Sequence, residues 1–373
     1  MNQRHFRDAK VTVNLNAIET NIKNLKSKMN QSIDVIAVVK ADGYGHGAYE
    51  VANKALSSGA TQLAVALLEE GVELREQGIT APILVMGWVG AEHAPIALKY
   101  DLTLTVFQKE WLDEFNQLDL EGRVGLHVKF DTGMGRLGIR TANELNAFLD
   151  SVDPEKVHIT GLYTHFATAD EDSLDYYNLQ QERFLSMLEI VDQRFDTRPY
   201  THVGNSAAGM RDIGHLYDGV RFGIGMYGLY PSNYLNEHRP FHLKPALSLT
   251  TALTHVKKME PNEAISYGAT YKTEKEEWIG TIPVGYADGI QRRFQGSHVL
   301  INGKRMEIVG RVCMDQCMVR LDQHYPLGTE VCLIGKQRNE EITMEEIANH
   351  LGTINYEVAC LLTTRLPRYF IES

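Results

Sequence analysis

Short runs of consecutive apolar residues recur at near-regular intervals through about the first 230 positions. They fall at 33–40 (IDVIAVVK), 62–67, 82–88, 102–106, 125–130, 159–165, 201–206 and 218–225. Most are continuous rather than alternating, the pattern of a strand covered on both faces. Helical periodicity fills several of the gaps. Residues 48–58 (AYEVANKALSS) stop at Gly59, residues 69–77 (EEGVELREQ) stop at Gly78, and residues 174–195 form a long amphipathic stretch. Glycine just past a periodic run is a usual helix terminator. Eight strands alternating with helices predict a TIM-like (β/α)8 barrel, with a doubly wound open sheet as the competing architecture.

The pattern changes near Pro245. Residues 247–259 read as one long alternating strand, and further strands are expected over 278–285, 298–301 and 305–320. Asn302-Gly303 between two such runs predicts a tight hairpin. Thr343 followed by Glu346, with Gly352 beyond, has the capping-box and stop pattern of a closing helix. The chain is thus read as α/β: an N-terminal barrel over 1–243 and a C-terminal, mostly β domain over 244–373. There is no internal repeat and no low-complexity segment.

The chain has 373 residues, 43% of them hydrophobic and 23% charged, which suffices for a large core and suits two domains. A formal net charge of −11 disfavours general binding to nucleic acid. The first 30 residues lack the apolar core of a signal peptide, and no run reaches membrane-spanning length, so a cytoplasmic protein is expected. Cys313, Cys317, Cys332 and Cys360 show no zinc-type spacing and are read as buried, reduced, structural thiols.

The first apolar strand ends in Lys40. An ammonium there needs a reason, because an unpaired buried charge is costly. One reading is a lysine that snorkels to the surface. The other is a Schiff-base lysine, which burial helps to deprotonate. Active sites of barrels lie at the C-terminal ends of their strands, where Lys40 falls. The segment Val38-Val39-Lys40-Ala41-Asp42-Gly43-Tyr44-Gly45-His46-Gly47 resembles the attachment signature for pyridoxal 5'-phosphate (PLP) in the alanine racemase family. The resemblance implies that Lys40 holds PLP and serves as one of two proton-transfer bases, and that Tyr44 contacts the cofactor phosphate.

Further blocks are similar to the same family, in order, as far as Arg365. Asp131-Thr132-Gly133-Met134-Gly135-Arg136 implies that Arg136 meets the phenolic oxygen of PLP and helps to bind substrate. Lys129 matches the position that the family modifies to a carbamate. An uncharged or anionic group beside Arg136 makes electrostatic sense, and pairing of Lys129 with a carboxylate is the alternative. His165 implies a hydrogen-bond chain to the arginine on the cofactor ring. Asn205 and Ser206 lie where a strand passes into a short helix and could cradle phosphate. Arg221-Phe222-Gly223-Ile224-Gly225-Met226-Tyr227-Gly228 resembles the RxGIxxYG block. It implies that Arg221 faces the pyridine nitrogen and that the N–H groups of Gly223 and Ile224 bind phosphate. Phe222 stands where the family often has proline.

Racemisation needs a proton removed from one face of Cα and returned to the other, so two bases on opposite faces are the direct solution. Ser266-Tyr267-Gly268 resembles the segment that carries the second base, Tyr267. A tyrosine titrates near ~10 and needs positive surroundings to act at neutral pH. The block around Met314 implies a backbone N–H for the substrate carboxylate, with Asp315 as a gating or orienting group. Tyr356 implies phosphate contact and a pocket narrowed to a methyl side chain. The family's habit further implies a homodimer with composite sites, alanine as substrate, and D-alanine supplied for peptidoglycan. The competing readings are a broader-specificity racemase of the same family and a non-catalytic PLP-binding protein. Neither a metal nor nucleic acid is expected.

Overall fold

The computed structural model describes residues 6–211 and 214–372. The chain divides into two compact units. One comprises Ala17–Gly43 with Ala48–Pro245, and the other the N-terminal segment through Asn16, Tyr44–Gly47 and the chain from Ala246 onward.

The first unit is a closed parallel barrel of eight strands at the eight predicted places: Asp34–Val38, Gln62–Val65, Ile83–Val85, Thr103–Val106, Val124–Lys129, Val157–Tyr163, Tyr200–Gly204 and Gly219–Phe222. The last pairs with the first through Asp34↔Gly219 to Ala37↔Phe222, which closes the ring. Val35 to Val39 are all nearly or wholly buried, as an apolar run with no polar face requires. Several strands stop short of the predicted apolar runs. The first ends at Val38 because the next residues turn left-handed, and the last ends at Phe222 because Ile224–Tyr227 forms a 3-10 turn. Helices Ala48–Ser57, Leu68–Glu76 and Asp175–Arg194 match the periodic segments.

The second unit is built on a mostly antiparallel sheet. Its strands run His255–Met259, Glu277–Ile282, Cys317–Leu321, Lys304–Val309, His298–Ile301, Glu330–Gln337, Leu247–Ala252, Ala9–Asn14 and Arg368–Ile371. The N-terminal strand Ala9–Asn14 pairs with Leu247–Ala252 and Arg368–Ile371, so this segment lies with the sheet and not with the barrel to which the sequence reading assigned it. Its alternating burial is that of a half-covered antiparallel strand.

Two expected strands are each broken in two. The run 247–259 divides at Leu253-Thr254, where the backbone changes partners: the Leu253 N–H goes to Thr329 and the Thr254 N–H to Thr281. The run 305–320 divides around the turn in which Cys313 donates to Gln316. The hairpin at Asn302-Gly303 forms with φ of 51° and 75° and pairs Ile301 with Lys304. The helix Met344–Leu351 is capped by Thr343, whose hydroxyl accepts from Glu346 N at 3.1 Å. The capping box is only half made, because the Glu346 carboxylate binds Arg305 instead. All four cysteines are free. Cys317 and Cys332 are buried as expected, whereas Cys313 is half-buried and Cys360, the last residue of the helix Asn355–Cys360, is exposed. Among the described residues no helix is long and apolar enough to cross a membrane, and no cluster could hold a metal ion.

Candidate active site

In the barrel unit, the site begins where the first strand ends. Ala41, Asp42 and Gly43 have φ of 53°, 51° and 60° and ψ of 52°, 49° and 43°, and Tyr44 and Gly45 continue with positive φ. This is a turn of left-handed helix containing non-glycine residues, each costing about 1–2 kcal/mol. Such a turn persists only where its surroundings dictate it. Gly43 N donates to Val39 O, the Asp42 carboxylate accepts from Ala48 N, and Glu70 Oε1 accepts from Ala41 N at 2.5 Å. Glu70 Oε2 takes the N–H groups of Ala66 and Leu67, so one carboxylate ties the Lys40 turn to the end of the second strand. Tyr227 donates to Val38 O at 2.9 Å and pins the strand beside Lys40. The result is a half-buried Lys40 on a rigid support.

Arg221 is the electrostatic centre of the barrel. It is 3% exposed, and its two Nη groups reach five acceptors. Nη1 donates to His202 Nδ1 and His202 O, both at 2.8 Å. Nη2 donates to Thr164 O at 2.8 Å, Val203 O at 3.1 Å and His165 Nδ1 at 3.3 Å. Its Nε–H is left without a partner among the described residues. Burial pulls Arg221 down to about 10, so it remains a cation at neutral pH. Burial and that cation together hold His165 and His202 well below the usual histidine range, so both are neutral acceptors toward Arg221. His165 therefore stands in a hydrogen-bond chain with the arginine, as expected, but His202 makes the shorter contact. Sequence reasoning missed His202 because it sits mid-strand, in a run that reads as ordinary core.

Lys129 ends the strand Val124–Lys129 and is 5% exposed. Among the described residues no carboxylate pairs with it. Its Nζ lies 5.4 Å from the centre of the Tyr163 ring, whose centre is also 5.2 Å from the Arg221 guanidinium carbon. Burial, with Arg136 and Arg221 adding repulsion, lowers Lys129 to about 8. A substantial fraction of its amine is neutral near physiological pH, and only a neutral amine can take up carbon dioxide. Arg136 is exposed on a loop organised by Asp131, whose Oδ1 accepts from Gly133 N at 3.1 Å and Gly135 N at 2.9 Å. The guanidinium of Arg136 has no hydrogen bond or ion pair among the described residues.

Ser206 opens the short helix Ser206–Arg211. Its Oγ accepts from Gly223 N at 2.9 Å and Gly225 N at 3.4 Å. With its lone pairs so engaged, the hydroxyl proton is directed elsewhere, as a donor. The Gly223 N–H is thus held inside the protein, whereas that of Ile224 has no partner among the described residues. Asn205 is occupied as a cap: Oδ1 accepts from Ala208 N at 3.0 Å and Nδ2 donates to Phe166 O.

In the sheet unit, Tyr44 and Tyr356 are brought together, with ring centroids 6.2 Å apart at 57°. Tyr267 begins a 3-10 turn after Ser266 and is 71% exposed, its hydroxyl unpartnered among the described residues. Ser266 Oγ donates to Arg311 O, and Ser266 has positive φ, so the turn is anchored beside the tyrosine. Met314 is 53% exposed, and its carbonyl accepts from Ala287 N at 3.0 Å while its own N–H has no protein partner among the described residues. Asp315 pairs with Arg365 at 2.7 Å. Arg365 in turn approaches the buried Asp288, which Arg7 also holds.

The chain matches the family models "Alanine racemase, N-terminal domain" over residues 13–231 and "Alanine racemase, C-terminal domain" over 246–370. It is 49% identical over 376 residues to the alanine racemase of Geobacillus stearothermophilus, covering all of this chain and 95% of that one. The crystal structure of alanine racemase from Bacillus anthracis with bound L-Ala-P superposes with a TM-score of 0.96 at 46% identity, covering 99% of this chain and 96% of that one. A histidine racemase from Leuconostoc mesenteroides subsp. sake has the same architecture, with a TM-score of 0.89 at 29% identity and 99% of each chain covered. Matched along its whole length and in both parts, the chain belongs to the alanine racemase family, whose members are PLP-dependent isomerases.

Proposed function

We propose that this protein interconverts L-alanine and D-alanine with PLP held by Lys40, using Lys40 and Tyr267 as the two bases. The observation that carries this reading is the buried Arg221, whose one donor without a partner among the described residues, Nε–H, belongs to a group that stays cationic at neutral pH. A donor of that kind fits an unprotonated aromatic nitrogen. Ser206 and Ile224 fit a phosphate, and Lys40 fits the aldehyde. When bound, the cofactor supplies an electron sink that acidifies the α-carbon of an amino acid joined to it.

The chain's own residues do the rest. Lys40 and Tyr267 take and return the proton on opposite faces of Cα, Lys40 on the D-alanine side and Tyr267 on the L-alanine side. Arg221 stays charged and gives the ring nitrogen no incentive to accept a proton, which limits side reactions. Arg136 and the Met314 N–H orient the substrate carboxylate. By the family resemblance Tyr44 and Tyr356 contact the phosphate, and Tyr356 with Tyr267 leaves room for little more than a methyl group. The exposed Tyr267 phenol supports its donation to a second copy of the chain, so the active form is a homodimer with two composite sites. Following the family resemblance, the enzyme works in the cytoplasm and its product feeds peptidoglycan.

The test is complementation. Tyr267→Phe is expected to lose about 10²–10⁴-fold in turnover, the usual range for one acid–base group, and to lose exchange chiefly on the L-alanine side. Mixing it with an inactive Lys40→Ala chain, after dissociation and reassembly, is expected to restore about a quarter of the sites, because half the dimers are then mixed and each has one intact site. A mixture that remains inactive, although mixed dimers are detected, rules out composite sites.

The shared architecture of the histidine racemase keeps a broader substrate range as a second reading. A panel of L-amino acids separates the two: alanine is expected to turn over fastest, and faster serine or histidine would favour the broader enzyme.

Lys129 gives a further expected result. Its neutral fraction rises as pH increases through about 8. At fixed dissolved carbon dioxide, a 13C carbamate signal on Lys129 is therefore expected to grow between about pH 7 and 9, and to be absent in Lys129→Arg. A signal that declines over that range would contradict the assignment.

A further inference from the structure

The barrel interior holds a polar element that the proposed chemistry does not itself demand. His127 and His202, 5% and 0% exposed, sit on the strands Val124–Lys129 and Tyr200–Gly204. His127 Nδ1 lies 3.0 Å from His202 Nε2, and His202 Nδ1 lies 2.8 Å from Arg221 Nη1. A guanidinium can only donate. His202 Nδ1 is therefore an acceptor, and neutral His202 carries its proton on Nε2. That proton meets His127 Nδ1, which must accept it, so neutral His127 carries its own proton on Nε2. The hydrogen bonds run in one direction, from Arg221 through His202 to His127.

The barrel makes room for this third member. Gly161 is the register partner of His127 on the next strand, and a Cβ there would lie 2.4 Å from His127 Nε2. No other residue fits at Gly161 with the ring in place. Tyr163 stacks on His202 at 4.8 Å and 10°, so His202 cannot tilt to find another partner.

We propose that His127 is a positioning residue: it fixes the tautomer of His202 and through it the aim of Arg221. The proposal rests on the reading that Arg221 Nε–H faces the cofactor. Without an acceptor at His127, the buried Nε2–H of His202 has no partner, which favours moving the proton to Nδ1. An Nδ1–H would then oppose the Arg221 Nη1–H, and the guanidinium, with its Nε–H, would turn away.

The experiment compares wild type, His127→Asn and His127→Leu, labelled with 15N-histidine, both with PLP and without it. The asparagine carbonyl can accept where Nδ1 does; leucine cannot. Wild type and His127→Asn are expected to show His202 protonated at Nε2 only, with kcat for the asparagine variant within about threefold of wild type. His127→Leu is expected to show protonation at Nδ1 and a kcat about tenfold lower or worse, with KM for alanine little changed. If the leucine variant does not fold, Gly161→Ala, which drives a methyl into the same ring, is read for the same signals. An unaltered His202 tautomer in the leucine variant, or an asparagine variant as impaired as leucine, overturns the proposal. A changed tautomer with unaltered kcat leaves the histidine order standing and overturns the role given to Arg221.

Discussion

Replacing Lys40 by alanine is expected to lower racemisation by about 10⁴-fold or more, because in the proposed mechanism one side chain supplies both the covalent anchor and a proton-transfer base. Thermal stability should change little. The left-handed turn at 41–45 is held by Val39, Asp42 and Glu70, none of which uses the Lys40 side chain. Lys40 is also only half-buried, so its truncation leaves no large cavity. Activity and the visible absorbance of bound PLP are measured on one preparation, beside a melting curve. Loss of both with an intact melting transition is the expected outcome, and retention of most activity would remove Lys40 from the mechanism.

The second large effect is at Arg221. Its guanidinium satisfies the carbonyls of Thr164, His202 and Val203 and two histidine nitrogens, so Arg221→Glu places an acceptor among acceptors. A change of this kind in a buried network costs about 3–5 kcal/mol of stability, and the variant should be assayed well below its melting temperature. With Arg221 facing the cofactor nitrogen as proposed, a carboxylate at this position also invites a proton onto that nitrogen. Racemisation is expected to fall about 10³-fold, and transamination, read as pyruvate per D-alanine formed, is expected to rise. Arg221→Lys keeps the charge but not the fork of donors, and should lose activity without gaining pyruvate. Arg221→Glu that racemises within tenfold of wild type and makes no pyruvate would contradict the role assigned to the cation.

The barrel was legible in the sequence because strands buried on both faces leave continuous apolar runs, and eight of them stand apart with helices between. The sheet unit was less so. An antiparallel strand that changes partners, as at Leu253-Thr254, can run on without Gly or Pro across the break, so nothing in the local sequence separates the pieces. The strand Ala9–Asn14 lies far in sequence from its neighbours Leu247–Ala252 and Arg368–Ile371, and nothing local marks so distant a pairing. At the site, Lys40 stood out because a charge at the end of an apolar strand demands a reason, and Arg136 and Arg221 stood out through the family blocks that their segments resemble. Glu70, His127 and His202 did not. Glu70 reads as an ordinary residue in the first turn of a helix, and the two histidines read as core. Their roles follow from hydrogen-bond direction, which depends on what lies across the barrel rather than along the chain.

The most direct measurement is reduction of the enzyme with borohydride in the presence of PLP, followed by peptide mass spectrometry. The expected result is a single phosphopyridoxyl group on the peptide containing Lys40, absent when alanine replaces it. Label on another lysine with Lys40 unmodified, or no label on an active enzyme, would contradict the account.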